Sequence, residues 1–261
     1  MRRAMSDTRI SDLVFEVHGF DCGYGGPLGT LAIANFLQES AGINAEKLGF
    51  GMEAMDERGR TWMLSRLDLR VDELPREGER VSVATWPAET RKLFALRDFV
   101  MRGADGRSLV RAVYAYLVVD LAARRPLRPE SVFGSDSPDA GEPHPVSGFA
   151  FDIPAAVGTI PSFAQIVRGR HIDHNGHANN AHILNWLVDA ADGKAELSAP
   201  GPELSALRVE FLAEALEGDE LMAARGSPET TPFGPEAAAI STVAELSRGG
   251  TKVARSLVGR R

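Results

Sequence analysis

Asp173, Asn175, His177, Asn179 and Asn180 stand within eight positions of one another, in a stretch reading RGRHIDHNGHANN from Arg168 to Asn180. An acid, amides and an imidazole on one short loop are the parts needed to activate a water and to hold a polarised carbonyl. A further carboxylate, Glu214, follows in the run VEFLAE from Val209. Leu212 and Leu216 flank it on one strand face, while Val209, Phe211, Ala213 and Ala215 form the other. Burial between two apolar faces would raise the carboxyl pKa and make Glu214 a competent base toward water. Asp173 is placed to orient the imidazole, and Asn175 to offer an amide N–H to a carbonyl. Whether Glu214 or His177 takes the proton stays open at this level. Taken singly, each residue also has a plainer role. Asp173 and Asn175 build Asx-turns, His177 serves as a polar helix-entry residue, and Glu214 is a solvated strand-end charge.

These side chains need a loop, a helix and a strand to bring them together. Asn179 or Asn180 suits a helix N-cap, because a short amide oxygen can accept a first-turn N–H. Beyond it, Ile183, Trp186, Leu187 and Ala190 fall at the spacing of one buried helix face. The helix start carries about half a positive elementary charge, which suits an oxygen that becomes negative. Strand-like runs follow at 206–216, 220–226, 236–246 and 252–258.

The first half has the same order. A short alternating run at Val14–Phe20 leads into a glycine-rich loop at 21–27, which lacks His and Asn. A helix follows over Leu28–Leu48, with Leu31, Ala34, Leu37 and Ala41 on one side and Gly49 near its end. Strand-like runs then come at 62–74, 80–86, 94–102 and 108–121, separated by turns such as PREG at 75–78 and GADG at 103–106. Two copies of helix-then-strands predict a duplicated α+β unit, each with an antiparallel sheet wrapped around its helix, the arrangement called a hot dog. Seven of the fifteen prolines lie between Arg125 and Ser162. The chain therefore divides into a unit at 1–126, a linker at 127–162 and a second unit at 163–261.

Composition narrows the partners. The chain has 261 residues, 44% hydrophobic and 25% charged, with a net charge of −7 that argues against nucleic acid and anionic membranes. Cys22 is the single cysteine, so neither a disulfide framework nor a thiolate zinc site is expected. The first residues, MRRAMSDTRISDL, do not read as a secretory signal. No run approaches the roughly 20 apolar residues of a membrane span, and a cytoplasmic location is expected. His171, His174, His177 and His182 raise a metal reading. Asn175-Gly176 favours a loop, however, and no carboxylate has clear ligand spacing, so no metal or cofactor is expected. His171 and His174 read as solvent-exposed.

The chain resembles the plant and bacterial fatty acyl-acyl carrier protein thioesterases over nearly its whole length. LAIANFLQESA at 31–41 is similar to that family's first helix with its Leu-Gln-Glu pair, and WMLSR at 62–66 with VDELP at 71–75 to its first long strand and turn. Asp173-x-Asn175-x-His177-x-Asn179-Asn180, Trp186 and the run ending at Glu214 match its catalytic loop, helix entry and catalytic strand. The resemblance implies a tandem hot dog. It also implies hydrolysis of an acyl-carrier-protein thioester without a cofactor, with Asp173, Asn175, His177 and Glu214 catalytic. Where some members carry a cysteine this chain has Ala215, which excludes a covalent Cys–His route there, and Ile183 stands for the usual helix tyrosine. By the same resemblance the first half supplies the acyl pocket, with Trp62, Met63 and Trp86 as candidate lining. Acyl carrier protein is acidic, as is this chain, so docking needs a local basic surface. Arg168 and Arg170 beside the loop are favoured over Arg124, Arg125 and Arg128. A homodimer is possible, though two units already make a pseudo-dimer. Other readings are hydrolysis of a different acyl thioester, such as acyl-CoA, and acyl-thioester binding without turnover.

Overall fold

The computed structural model describes residues 9–133, 140–193, 203–230, 233 and 238–261. The extreme N-terminus, the centre of the expected linker and the start of the run expected at Glu236 lie outside the described residues. In chain order the strands are β1 (Ser11–Glu16), β2 (Arg60–Val71), β3 (Arg80–Arg91), β4 (Phe94–Gly103), β5 (Ser108–Asp120) and β6 (Arg125–Leu127), then β7 (Ala156–Ile166), β8 (Leu204–Phe211), β9 (Glu220–Pro228), β10 (Ile240–Arg248) and β11 (Thr251–Arg260). The helices are α1 (Thr30–Lys47), α2 (Met52–Asp56), α3 (Glu130–Phe133) and α4 (Asn180–Asp192).

Both long helices form where the apolar spacing predicts. Ala34, Leu37 and Ala41 of α1 are buried, as are Ile183, Trp186, Leu187 and Ala190 of α4. Asn179 caps α4 by accepting the Ala181 N–H at 2.8 Å. Past the end of α1, Gly49 has φ 76°, a left-handed conformation that glycine adopts without a Cβ clash.

All the strands join one antiparallel sheet in the order β1-β3-β4-β5-β2-β8-β11-β10-β9-β7, with β6 added on β5. The two halves meet where β2 pairs with β8, from Arg66 opposite Glu210 to Arg70 opposite Ala206. One apolar core runs through both, joining Leu37 and Leu67 of the first half to Leu187 and Val209 of the second. The second unit begins earlier than the expected boundary at residue 163, because β7 starts at Ala156 inside the proline-rich stretch. Its register slips between Val157 and Ile160 and again between Pro161 and Phe163, and these irregularities hide the strand's alternation in sequence.

A polar knot lies at the seam. The fully buried Asp68 carboxylate accepts from Arg208 Nε (3.1 Å), Arg70 Nη2 (3.2 Å) and the Ala150 N–H (2.9 Å). Both guanidinium groups lie 4.9 Å from the centre of the Phe233 ring. One carboxylate thus ties β2, β8 and the connecting segment together.

The duplication is visible in hydrogen bonds rather than in residue identity. Each unit has a short 3₁₀ turn, at Gly19–Asp21 and Gly169–His171, before its helix. Isolated bridges close the loops that follow, Cys22 with Leu28 and Ile172 with Ala178. Leu28 N donates to Pro75 O and Ala178 N to Ala215 O, both at 2.8 Å. The helices start 150 positions apart, at Thr30 and Asn180. In this register Gly23, Gly25 and Pro27 occupy the places of Asp173, Asn175 and His177. The paired carbonyls at Pro75 and Ala215 likewise set Leu74 opposite Glu214.

Candidate active site

The loop from Asp173 to His177 is a tight reversal. Asp173 N donates to His177 O at 2.9 Å, and Gly176 N to Asp173 O at 3.0 Å, with Gly176 at φ 81°. The Asp173 carboxylate accepts the Asn175 N–H at 2.9 Å, which is an Asx-turn. Local backbone geometry therefore fixes which way the loop side chains face.

Glu214 reaches this loop by a different path. Strand β8 ends at Phe211, and the next residues hang on β11 through Leu212 and Ala213 N–H bonds to Val253 O. The bond from Ala178 N to Ala215 O then clips this segment to the residue after His177. His177 Nε2 consequently lies 3.2 Å from Glu214 Oε2, with the two side chains 34% and 37% exposed. The expected burial of Glu214 within a strand is corrected: the chain leaves the sheet three residues earlier, and Leu212 and Leu216 are both exposed. The carboxylate that meets the imidazole is that of Glu214, while Asp173 is engaged by the Asn175 backbone.

A cavity of about 370 Å³ opens against the same loop, and neither His177 nor Glu214 is among its lining residues. Asp173, His174, Asn175, Asn179 and Asn180 line it from the second half. Its remaining walls come from the first half: α1, the α2 region, strands β2 to β5, and Phe133. Gln38 Nε2 donates to Asn179 Oδ1 at 3.3 Å and so joins α1 to the start of α4 at this place. The Asn180 N–H, first in the helix and on the cavity wall, has no backbone acceptor among the described residues. It is available to an oxyanion at the positive end of α4.

The expected lining residues separate. Trp62 lies on the cavity wall, its Nε1 donating to Phe50 O at 2.8 Å and its ring stacked on Phe133. Met63 points the other way and is 38% exposed, as strand alternation requires of the next residue. Trp86 is buried away from the cavity, with Ala84 and Val100. Arg168 and Arg170 are exposed beside the loop and take no part in the cavity wall. Arg124, Arg125 and Arg128 are exposed as well. Gln38, Phe50, Arg97 and Tyr116 line the cavity without having been singled out. Of these only Gln38 left a trace in sequence, within the Leu-Gln-Glu pair.

His171 is not the exposed neighbour expected from its polar surroundings. It is buried, its Nδ1 accepts the Arg168 N–H at 3.0 Å, and its ring packs against His182 and Trp186. Among the described residues no group of His, Cys, Asp and Glu is arranged to hold a metal ion. Burial, more than the neighbouring His182 and arginines, holds the His171 pKa below its ordinary value. A depressed folded-state pKa means that the unfolded chain binds the proton better. The stability so contributed is complete above the ordinary imidazole value near 6.5 and fades as pH falls below it. Wild type should therefore lose more thermal stability than His171→Gln between about pH 7.5 and about pH 5.5. Equal losses would remove His171 as the cause.

The first half matches the family model described as the acyl-ACP thioesterase N-terminal domain, over residues 12–132. A chloroplastic palmitoyl-acyl carrier protein thioesterase of Gossypium hirsutum is 28% identical over 232 residues, covering 81% of this chain and 54% of that protein. A chloroplastic dodecanoyl-[acyl-carrier-protein] hydrolase of Cinnamomum camphora is 24% identical, covering 67% of this chain and 49% of its own length. The chain thus spans about half the length of these curated relatives. Among solved structures, an acyl-ACP thioesterase from Bacteroides thetaiotaomicron has a TM-score of 0.80 at 25% identity, covering 98% of this chain and 100% of that one. The 12:0-ACP thioesterase from Umbellularia californica has a TM-score of 0.78 at 20% identity, over 97% of each chain, a likeness of fold. The family model thus matches the first half of the chain, and nearly the whole chain is similar in its tandem hot dog fold to solved acyl-ACP thioesterases.

Proposed function

We propose that the protein hydrolyses the thioester between a fatty acyl group and acyl carrier protein, releasing free fatty acid in fatty acid biosynthesis. The observation that carries this reading is the His177–Glu214 pair, held by the same loop whose Asp173, Asn175 and Asn180 line a largely apolar cavity. An acyl chain fills that cavity, which places its thioester carbonyl by the Asp173–Asn180 loop. Glu214 and His177 together take a proton from water as its oxygen attacks the carbonyl carbon. The tetrahedral oxyanion accepts the Asn180 N–H, with the Asn175 amide beside it. As the C–S bond breaks, the proton passes from the pair to the departing thiolate. Asp173 acts as a positioning residue, holding the loop through the Asn175 N–H.

Arg168 and Arg170 offer a basic rim for the acidic carrier protein and its phosphopantetheine arm. The cytoplasm is the proposed location, since the free Cys22 suits a reducing compartment. The test is release of free thiol from a panel of acyl-acyl carrier protein thioesters of increasing chain length, with and without EDTA. Turnover unchanged by the chelator is expected, and loss of turnover in EDTA would return the histidine cluster to a metal role. Tight binding without turnover on every chain would leave an acyl-thioester-binding protein instead.

A further inference from the structure

The cavity wall holds a cation that hydrolysis as described does not use. Arg97 of β4 lines the cavity, and its Nη1 donates to Asn44 Oδ1 at 2.6 Å and lies 3.4 Å from Thr85 Oγ1. Those bonds occupy one nitrogen of three. Nε and Nη2 have no hydrogen-bond partner among the described residues, and the residue forms part of the cavity wall. Among the described residues no carboxylate is within ion-pair distance of the guanidinium, although the charge of Asp98 acts on it. Asp98, next in the strand, belongs to the opposite sheet face, where it meets His144 Nδ1 at 2.8 Å. Glu39 and Glu46 also border the cavity, but from the exposed side of α1.

Tyr116, diagonal to Arg97 on the neighbouring strand β5, also lines the cavity, and its hydroxyl has no hydrogen-bond partner among the described residues. Burial pushes the Tyr116 phenol up to about 12, against the opposing pull of Arg97, so it stays a proton donor. A guanidinium and a phenol, both with free N–H or O–H groups, call for an acceptor oxygen, and the net charge favours an anionic one. An alkyl chain alone would leave the cation desolvated and unmatched.

Their place in the sheet sets where on the substrate that oxygen must be. From β8, which leads to Glu214, the order runs through β2 and β5 to β4. Three strand spacings of about 4.8 Å put β4, which carries Arg97, about 14 Å across the sheet from β8. The matching group is therefore remote from the thioester. We propose that Arg97 and Tyr116 bind a carboxylate at the far end of the acyl group, so that thioesters of dicarboxylic acids are preferred substrates. This inference rests on the thioesterase reading for its chemistry, but not for its binding test.

Two acyl-carrier-protein thioesters of matched length, one ending in methyl and one in carboxylate, are compared by kcat/KM in wild type, Arg97→Met and Tyr116→Phe. In parallel, the corresponding acyl-pantetheine amides, which cannot be cut, are titrated by calorimetry. Wild type should favour the carboxylate form in both assays. Arg97→Met should lower that preference by about 10- to 100-fold, the worth of charged hydrogen bonds. Tyr116→Phe, which removes only a hydroxyl and should fold, should lower it by a smaller factor in the same direction. Preference for the methyl form in wild type, or a ratio unmoved by both variants, overturns the inference and leaves the thioesterase reading standing. Carboxylate-selective amide binding without turnover on either thioester upholds the Arg97–Tyr116 carboxylate site and overturns the thioesterase reading.

Discussion

Glu214→Ala and His177→Ala should each lower kcat on acyl-carrier-protein thioesters by about 10²- to 10⁴-fold, the usual worth of a positioned acid or base. The prediction follows from one distance and one hydrogen bond. His177 Nε2 and Glu214 Oε2 are 3.2 Å apart because Ala178 N is bonded to Ala215 O, so neither side chain has to search for the other. Residues that act as a unit are not additive, and the double variant should be little worse than the poorer single one. Both side chains are part-exposed, so truncation should leave the melting temperature close to wild type. Steady-state kinetics with a circular dichroism melt on each variant checks both halves of the claim. Near-wild-type kcat in either variant would reassign the proton transfer, and full activity in Glu214→Ala alone would leave His177 as the base.

The second large effect concerns stability. Asp68→Ala should cost about 3–5 kcal/mol, because it leaves Arg70 and Arg208 at the buried seam without their shared carboxylate. By contrast, Arg66→Ala deletes the Arg66–Glu210 pair of the same seam, whose side chains are 32% and 20% exposed, and should cost no more than about 1 kcal/mol. Urea titration with a common slope for both variants gives the comparison directly. Equal losses would mean that the knot is no stronger than a surface pair. A changed slope for Asp68→Ala alone would mean that the halves separate before they unfold.

What the sequence disclosed was local. The α4 cap and its buried face could be read because an Asn before a 3.6-residue pattern leaves few alternatives, and the loop chemistry stood in one contiguous run. The misreadings occur where three-dimensional context intervenes. Glu214 was placed in a strand because alternation continues past Phe211, although the chain has already left the sheet there. His171 looked exposed from its neighbours in sequence, whereas its cover comes from His182 and Trp186 one and two turns into the helix. Strand β7 was hidden by Gly158, Pro161 and two register slips. Arg97 and Tyr116 had no signal at all, since the cavity they face is assembled from four strands and four helices.

The 150-position register also bears on what each half was free to become. In a symmetric pair of identical units, a glycine that opened one loop would disarm both, and a larger cavity could not be made without changing the side that does the chemistry. Here a single chain carries Gly23, Gly25, Pro27 and Leu74 opposite Asp173, Asn175, His177 and Glu214. Tethering therefore separates the two: one unit can drift in shape while the other keeps its polar set. The stoichiometry follows from that register, with one polar loop of this kind for every two units.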